Sequence, residues 1–372
     1  MGGGCMKKKV LFIMHMPPPV HGAAMMGQYI HDSEIINRDF ECRYINPSAS
    51  RVVAEVGKVS IRKLFFLVSH IVSVVYTIIT FRPDLCYYTP TSSGWGVFRD
   101  MMLISLMKLF KRKIILHLHN KGVSECSGNM LYNFAYKRMF SSVKVILLAK
   151  ELYPDVDKYV SQKNLYICPN GIPSSHHKYK KRNSLHNPYT FLFLSNMIET
   201  KGVLDVIRAC GMLKKQGLIF KCNFVGRWST VSAERFNQVV NENDVSMQVE
   251  YKGPKYGNEK TEELKCADAL VFPSYYPGET FGLVLLEAME YGLPCISSNV
   301  GGIPTVVDNG VTGFLIEPME VEKLADKMKW LIQNPEIGMD MGDMGHKRFE
   351  EKFTLQIFEQ NLAAILSDAC KC

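Results

Sequence analysis

The sequence predicts an α/β chain of two doubly wound domains, each an open parallel sheet with helices on both faces. Three observations predict it. Short apolar runs alternate with longer stretches of helical periodicity throughout the chain, the pattern of buried parallel strands joined by helical crossovers. The 372 residues are enough for two separate cores. A polar, basic stretch around Lys178 (HKYKKRNSLHNP) separates two such alternating series and reads as a linker. The expected domains are 6–182 and 183–346, with a C-terminal helix in 347–372. The five leading residues MGGGC resemble a cloning scar or a late start codon and are set aside.

In the first series the predicted strands are 10–15, 43–46, 85–89, 113–119, 143–149 and 164–167. The first, VLFIMH, runs into PPPVHGAAMMGQYI. Its prolines bar continuation of strand or helix, and Gly22 permits close backbone approach ahead of a helix starting near Ala23. Three lysines precede this strand, but the prolines and the lack of a small-residue cleavage site argue against a signal peptide. The 18 apolar residues 64–81 (LFFLVSHIVSVVYTIITF) sit at the lower edge of a membrane-span length. Ser69, His70 and Ser73 interrupt them, so they read as a buried helix packed on the sheet. The stretch 100–113 (DMMLISLMKLFKRK) is either a core helix with a basic end or an amphipathic helix at a membrane surface. Strand 113–119 ends in His-Leu-His, and period-two alternation puts His117 and His119 on one side of it. An HxH pair can bind zinc, but no third ligand at a suitable spacing accompanies it, so no metal is expected.

In the second series the predicted strands are 190–195, 220–225, 249–252, 269–272, 294–297 and 313–316. Two such domains facing one another would enclose a cleft at the carboxyl ends of their strands, where ligands of doubly wound folds bind. After strand 190–195 comes NMIETKGVLDVIRAC, which places Lys201 and Gly202 in a turn opening a helix. The final stretch carries Phe349, Phe353, Ile357, Leu362 and Ile365 at helical spacing.

Hydrophobic residues at 47% and charged residues at 22% are ordinary for globular proteins. Eleven cysteines with no CxxC pair suggest neither a zinc site nor a disulfide framework, and a reducing, cytoplasmic compartment. Net charge divides unevenly: residues 1–185 hold 26 Lys+Arg against 11 Asp+Glu, or +15, and the remainder 18 against 25, or −7. A basic half attracts an anionic membrane surface, a phosphorylated substrate or nucleic acid. No nucleic-acid-binding pattern accompanies the charge, so no nucleic-acid partner is expected.

Glu279 and Glu287 lie eight residues apart in PSYYPGETFGLVLLEAMEYGLP, a strand, a glycine-bearing turn and a helix. With the helix starting near Phe281, the amides of Phe281, Gly282 and Leu283 form a positive helix end suited to a phosphate. The two carboxylates stand roughly 12 Å apart at helical rise, about the span of a ribose, a diphosphate and a sugar. Each carboxylate has acceptor sites for a vicinal diol. By itself the spacing does not separate this from a surface glutamate followed by a solvated helix glutamate.

The surrounding motif does more. P-S-x(4)-E-T-F-G-L-x(3)-E-A-M-x(2)-G-x-P, followed by Gly301-Gly302-Ile303-Pro304 and D-N-G-x-T-G-F-L, resembles the donor half of family 4 (group 1) retaining glycosyltransferases. The resemblance implies a GT-B fold of two Rossmann-like domains, with a C-terminal helix crossing back to the first. It also implies a metal-independent hexosyltransferase with no cofactor beyond its nucleotide-sugar co-substrate, a UDP-sugar being favoured over GDP-mannose. The acceptor would be a glycan or a lipid-linked hydroxyl in cell-envelope polysaccharide synthesis. An anionic membrane surface is a further expected partner, reached by a peripheral enzyme at the inner face.

By the same resemblance Glu279 orients the donor sugar and Glu287 the ribose. Thr280, Phe281, Gly282 and Leu283 line the donor, Lys201 contacts its diphosphate, and His119 lies beside its sugar. Gly22 belongs to the glycine loop of the first domain, here with one glycine after His21 in place of two. Pro169-Asn170-Gly171-Ile172 matches a closing turn of that domain. Two departures stand out. Asn196 occupies the place of an arginine, for which Arg227 is a candidate substitute, and Thr305 stands where glutamate is common. Alternative readings are a nucleotide-sugar 2-epimerase of the same fold and a non-catalytic nucleotide-sugar-binding protein. An NAD-linked dehydrogenase is disfavoured because no GxGxxG follows a predicted strand.

Overall fold

The computed structural model describes residues 7–18, 21–47, 61–174 and 186–371, with side chains from residue 68 onward in the helix that starts at 61. The MGGGC segment and most of the expected linker lie outside the described residues. The chain forms two compact units, Met1–Asn170 with Leu355–Cys372, and Gly171–Thr354.

Unit 1 contains β1 (Lys9–Ile13), α1 (Gly22–Asp32), α2 (Glu34–Asp39), β2 (Glu41–Ile45), α3 (Ile61–Phe81), β3 (Leu85–Tyr88), α4 (Gly96–Leu109), β4 (Lys113–Leu118), α5 (Val123–Cys126), α6 (Met130–Phe140), β5 (Lys144–Leu147) and β6 (Leu165–Ile167). The strands form one parallel sheet in the order β2-β1-β3-β4-β5-β6. Central strands β1, β3 and β4 are buried almost throughout, as expected of parallel strands covered on both faces. Edge strand β2 (ECRYI) is half exposed and carries charge that discourages further pairing. Ser33 caps α2, its hydroxyl accepting from the Ile36 amide at 3.2 Å.

Right-handed crossovers on this strand order place α1 and α2 on one face of the sheet and α3, α4 and α6 on the other. The packing agrees: α4 lies against both α3 and α6, and the last helix, Leu355–Lys371, lies against α2, β3 and β4.

Residues 64–81 are helical, but not buried on all sides. His70, Val74, Ile78 and Phe81 face inward, while Val68, Val72, Tyr76 and Ile79 are exposed. Apolar content alone does not reveal that only one face meets the sheet. Residues 100–109 complete α4, and 113 already belongs to β4: Val97, Leu103, Ile104 and Met107 join the core, Met102 and Leu109 are exposed, and Lys108 donates to the Met139 carbonyl at 3.1 Å.

Unit 2 contains β7 (Tyr189–Leu194), α7 (Val203–Lys215), β8 (Phe220–Val225), α8 (Ala233–Glu242), β9 (Val249–Gly253), α9 (Gly257–Lys265), β10 (Ala269–Phe272), α10 (Leu283–Glu290), β11 (Cys295–Ser298), α11 (Ile303–Val306), β12 (Gly313–Ile316), α12 (Val321–Gln333) and α13 (Pro335–Lys352). The final helix of unit 1 is therefore α14. The sheet is parallel in the order β12-β11-β10-β7-β8-β9. Its core joins alternate residues of β7 and β8 to α7, α8 and α12 through Phe191, Phe193, Phe224, Ile207 and Met328. Asp268, just before β10, is buried but satisfied. It accepts from the Thr190 amide at 2.8 Å and from the His186 amide at 3.1 Å, a structural role. Each of the twelve predicted strands overlaps a strand found among the described residues.

Candidate functional site

The strongest polar constellation of unit 2 lies where β10 ends and the chain turns towards α10. Lys201 Nζ donates to Glu279 Oε2 at 2.6 Å, and Ser274 Oγ donates to the same oxygen at 2.9 Å. Ser274 is fully buried and Glu279 nearly so. The Lys201 ammonium also stands 4.7 Å from the centroid of Tyr276 and 5.4 Å from that of Phe272, within range of cation–π attraction. These residues come from two loops far apart in sequence, and backbone joins the loops. The Tyr275 amide donates to the Thr200 carbonyl at 2.8 Å. Gly202, at φ +84°, comes so close that a Cβ there would lie 2.5 Å from the Pro273 carbonyl oxygen. Only glycine suits both the left-handed backbone and that approach.

The third loop of the site is Gly301-Gly302. At Gly301, with φ +54°, a Cβ would sit 2.3 Å from the Glu279 carbonyl oxygen. The Gly302 amide donates to the Thr280 carbonyl at 2.8 Å. The glycine pair thus clamps the backbone that carries Glu279 and Thr280. Thr305 follows on α11, and its carbonyl accepts from Arg348 Nη2 at 2.8 Å.

The helix begins two residues later than the sequence suggested. Gly282 is its left-handed cap at φ +74°, and α10 starts at Leu283. Phe281 is drawn into the core, 1% exposed and edge-on to Phe353 with centroids 6.0 Å apart. A left-handed residue and a buried aromatic cannot open an α-helix here, so the leading amides are those of Leu283 and Val284. Glu287 lies on the second turn, where Lys260 Nζ of α9 meets its Oε1 at 2.9 Å.

Asn196 and Arg227 are neighbours at the carboxyl ends of β7 and β8. The Arg227 amide donates to Asn196 Oδ1 at 3.4 Å, and the Arg227 guanidinium stacks over Tyr256 at 5.4 Å. Ser274, Tyr276 and Lys260 were not singled out from sequence. Ser274 and Tyr276 lie within the motif itself, but nothing local marks a serine or tyrosine as the partner of a lysine more than seventy residues away.

In unit 1 the carboxyl edge of the sheet gathers histidines. The rings of His117 and His119 are 4.1 Å apart, in keeping with their placement on one side of the strand. His117 is fully buried, with Nδ1 2.6 Å from the Tyr87 hydroxyl, and is a packing residue. Burial, reinforced by the neighbouring His15 and His21, pushes the His119 pKa down to about 3. His15 falls to about 4 through burial and then the Arg99 charge. His21 is also lowered by burial, and its Nδ1 caps α1 by accepting from the Ala24 amide at 3.3 Å. Gly22 is the first residue of α1 and not a loop residue ahead of it. These imidazoles are neutral at pH 7, so they offer hydrogen bonds and not charge. Among the described residues no group of three His, Cys, Asp or Glu side chains could hold a metal ion.

Residues 175–348 match the family described as glycosyl transferases group 1. The chain is 25% identical over 266 residues to the amylovoran biosynthesis glycosyltransferase AmsK of Erwinia amylovora, covering 70% of this chain and 65% of that protein. It is 25% identical over 190 residues to the capsular polysaccharide biosynthesis glycosyltransferase CapM of Staphylococcus aureus, covering 50% of this chain and 48% of that protein. The matched part thus spans less than two thirds of these relatives. Among solved structures, a Rickettsia africae glycosyltransferase superposes with a TM-score of 0.75 at 15% identity, covering 99% of this chain and 100% of that one. Anabaena HepE in complex with UDP superposes with a TM-score of 0.74 at 16% identity, covering 97% and 100%. The structural likenesses establish the GT-B fold.

Proposed function

We propose that this chain, whose residues 175–348 match the group 1 glycosyl transferases, moves a hexose-type sugar, with retention, from a nucleotide-diphosphate sugar to an acceptor hydroxyl. The observation that carries this reading is the Lys201–Glu279–Ser274 constellation, held by Gly202 and Gly301 beside the leading amides of α10. In the proposed reaction the bond from the anomeric carbon to the diphosphate oxygen breaks as the acceptor oxygen bonds to the same face of that carbon. The departing phosphate oxygen takes the acceptor's proton. Negative charge grows on the diphosphate, where the Leu283 and Val284 amides and the Lys201 ammonium stabilise it. Glu279 orients the sugar hydroxyls and Glu287 the ribose diol. Asn196 contributes to the donor surroundings, and His119 of unit 1, neutral at pH 7, offers a hydrogen bond and not a charge. No metal takes part.

The donor we propose is a UDP-sugar, the ligand class recorded with HepE, with GDP-mannose as the alternative. The acceptor is a glycan or lipid-linked hydroxyl of cell-envelope polysaccharide, in line with the polysaccharide pathways named for AmsK and CapM. The enzyme then works in the cytoplasm, at the inner membrane face.

A thermal-shift panel of nucleotide sugars tests this, since a ligand that binds only the folded chain raises its melting temperature by mass action. A UDP-sugar is expected to shift the wild type, and Lys201→Ala and Glu287→Ala to lose most of that shift. Unchanged shifts in both variants overturn the site assignment.

A further inference from the structure

We infer that the face of unit 1 built by α3, α4 and α6 docks on an anionic lipid bilayer. The inference rests on the reading of the acceptor as membrane-linked and names the surface that reaches it. Its first support is an apolar stripe on the outer side of α3. Val68, Val72, Tyr76 and Ile79 recur at helical spacing, and Val72 and Tyr76 are 61% and 68% exposed. The same face continues on α6, with Leu131 and Phe134 exposed at 66% and 63%, and Trp95 at the mouth of α4 is 79% exposed. Scattered apolar residues on a surface are ordinary, whereas a stripe repeated on helices that share a sheet face marks an interaction surface.

The second support is charge. The bases of α4 and α6 are Arg99, which pairs with Asp100 at 2.7 Å, the half-buried Lys108, and the exposed Lys137 and Arg138; the single acid of α3, α4 and α6, Asp100, is fully buried. No carboxylate on these three helices therefore reaches the surface. The acids of the unit's longer helices lie on the opposite face instead: Asp32 on α1, Glu34 and Asp39 on α2, and Glu359 and Asp368 on α14. Apolar side chains with Trp and Tyr, beside the exposed Lys137 and Arg138 and with no exposed acid on the three helices themselves, although the short α5 next to α6 carries the exposed Glu125, match an interface of headgroups and acyl chains. A second copy of this chain is a poorer occupant, because the face would meet its own positive border. No helix among the described residues is long and apolar enough to cross a membrane, which leaves α3 to lie along the surface.

The test is flotation of the full chain with vesicles of phosphatidylcholine alone or of equal parts phosphatidylcholine and phosphatidylglycerol. The donor-induced thermal shift is measured on each preparation. The wild type is expected to float with the anionic vesicles and to be released by raised salt. Val72→Asp with Tyr76→Asp is expected to weaken binding by about tenfold or more, and Lys137→Glu with Arg138→Glu to weaken it as well. Met247→Asp, at an 84% exposed position of unit 2, is expected to bind as the wild type does. The inference is overturned if the wild type ignores anionic vesicles or if the Val72 and Tyr76 double variant floats undiminished. It is also overturned if that variant instead abolishes a concentration-dependent self-association. A retained donor shift in any of these outcomes separates failure of the face from failure of the donor site.

Discussion

Replacing Lys201 by Met removes the cation that faces a nearly buried Glu279. At the observed 2.6 Å separation, Coulomb attraction at the effective dielectric of protein sites is about 6 kcal/mol. Desolvation of both groups offsets much of this. Breaking one side of a fully buried pair costs about 3–5 kcal/mol. Here the side chains are 16% and 8% exposed and Ser274 still donates to Glu279, so about 2–3 kcal/mol is the expected loss. For a unit of this size that is a fall in Tm of roughly 5–10 °C. Glu279→Gln removes the same attraction from the other side and leaves the ammonium over Tyr276. The double variant should therefore lose less than the sum of the two, with a coupling of about 1–3 kcal/mol. Urea unfolding of the wild type, both single variants and the double variant measures that coupling. A value below about 0.5 kcal/mol, or a Lys201→Met melting temperature equal to that of the wild type, refutes the claim that the pair organises this site.

Three further outcomes follow from the geometry. Gly301→Ala places a methyl 2.3 Å from the Glu279 carbonyl at a left-handed backbone, so urea unfolding should show a loss of at least about 2 kcal/mol together with a weakened donor shift. Phe281→Ala empties a buried position beside Phe353 and should lower stability by about 3–5 kcal/mol in the same assay. Stability should also fall in acid. Burial holds His15 and His70 at about 4 and His119 at about 3 when folded, against 6.5 for the unperturbed side chain. Above pH 6.5 both states are neutral at these sites. Between 6.5 and about 4 only the unfolded chain takes up protons, so each histidine removes up to about 1.4 kcal/mol per pH unit. Burial lowers His21 and His117 as well, so melting curves across this range should show the decline and His70→Gln should flatten it only by about a quarter; a flat profile contradicts the burial of these imidazoles.

What the sequence determined by itself is local. Buried parallel strands write themselves as continuous apolar runs, and β8, β10 and β12 lie at the residues those runs predicted. The Glu279 and Gly301 motifs drew attention to two loops, and Lys201 to a third. Their assembly was decided by tertiary structure. The Lys201–Glu279 pair joins residues 78 apart in sequence, and a lysine in a turn carries no record of which carboxylate it will meet. The start of α10 was likewise set by the burial of Phe281 and the left-handed Gly282, which a run of helix-compatible residues does not disclose. On α3 the apolar composition was visible from the start. Which of its faces meets the sheet and which meets solvent depends on the crossover direction and the neighbouring α4, and these exist only once the sheet has formed.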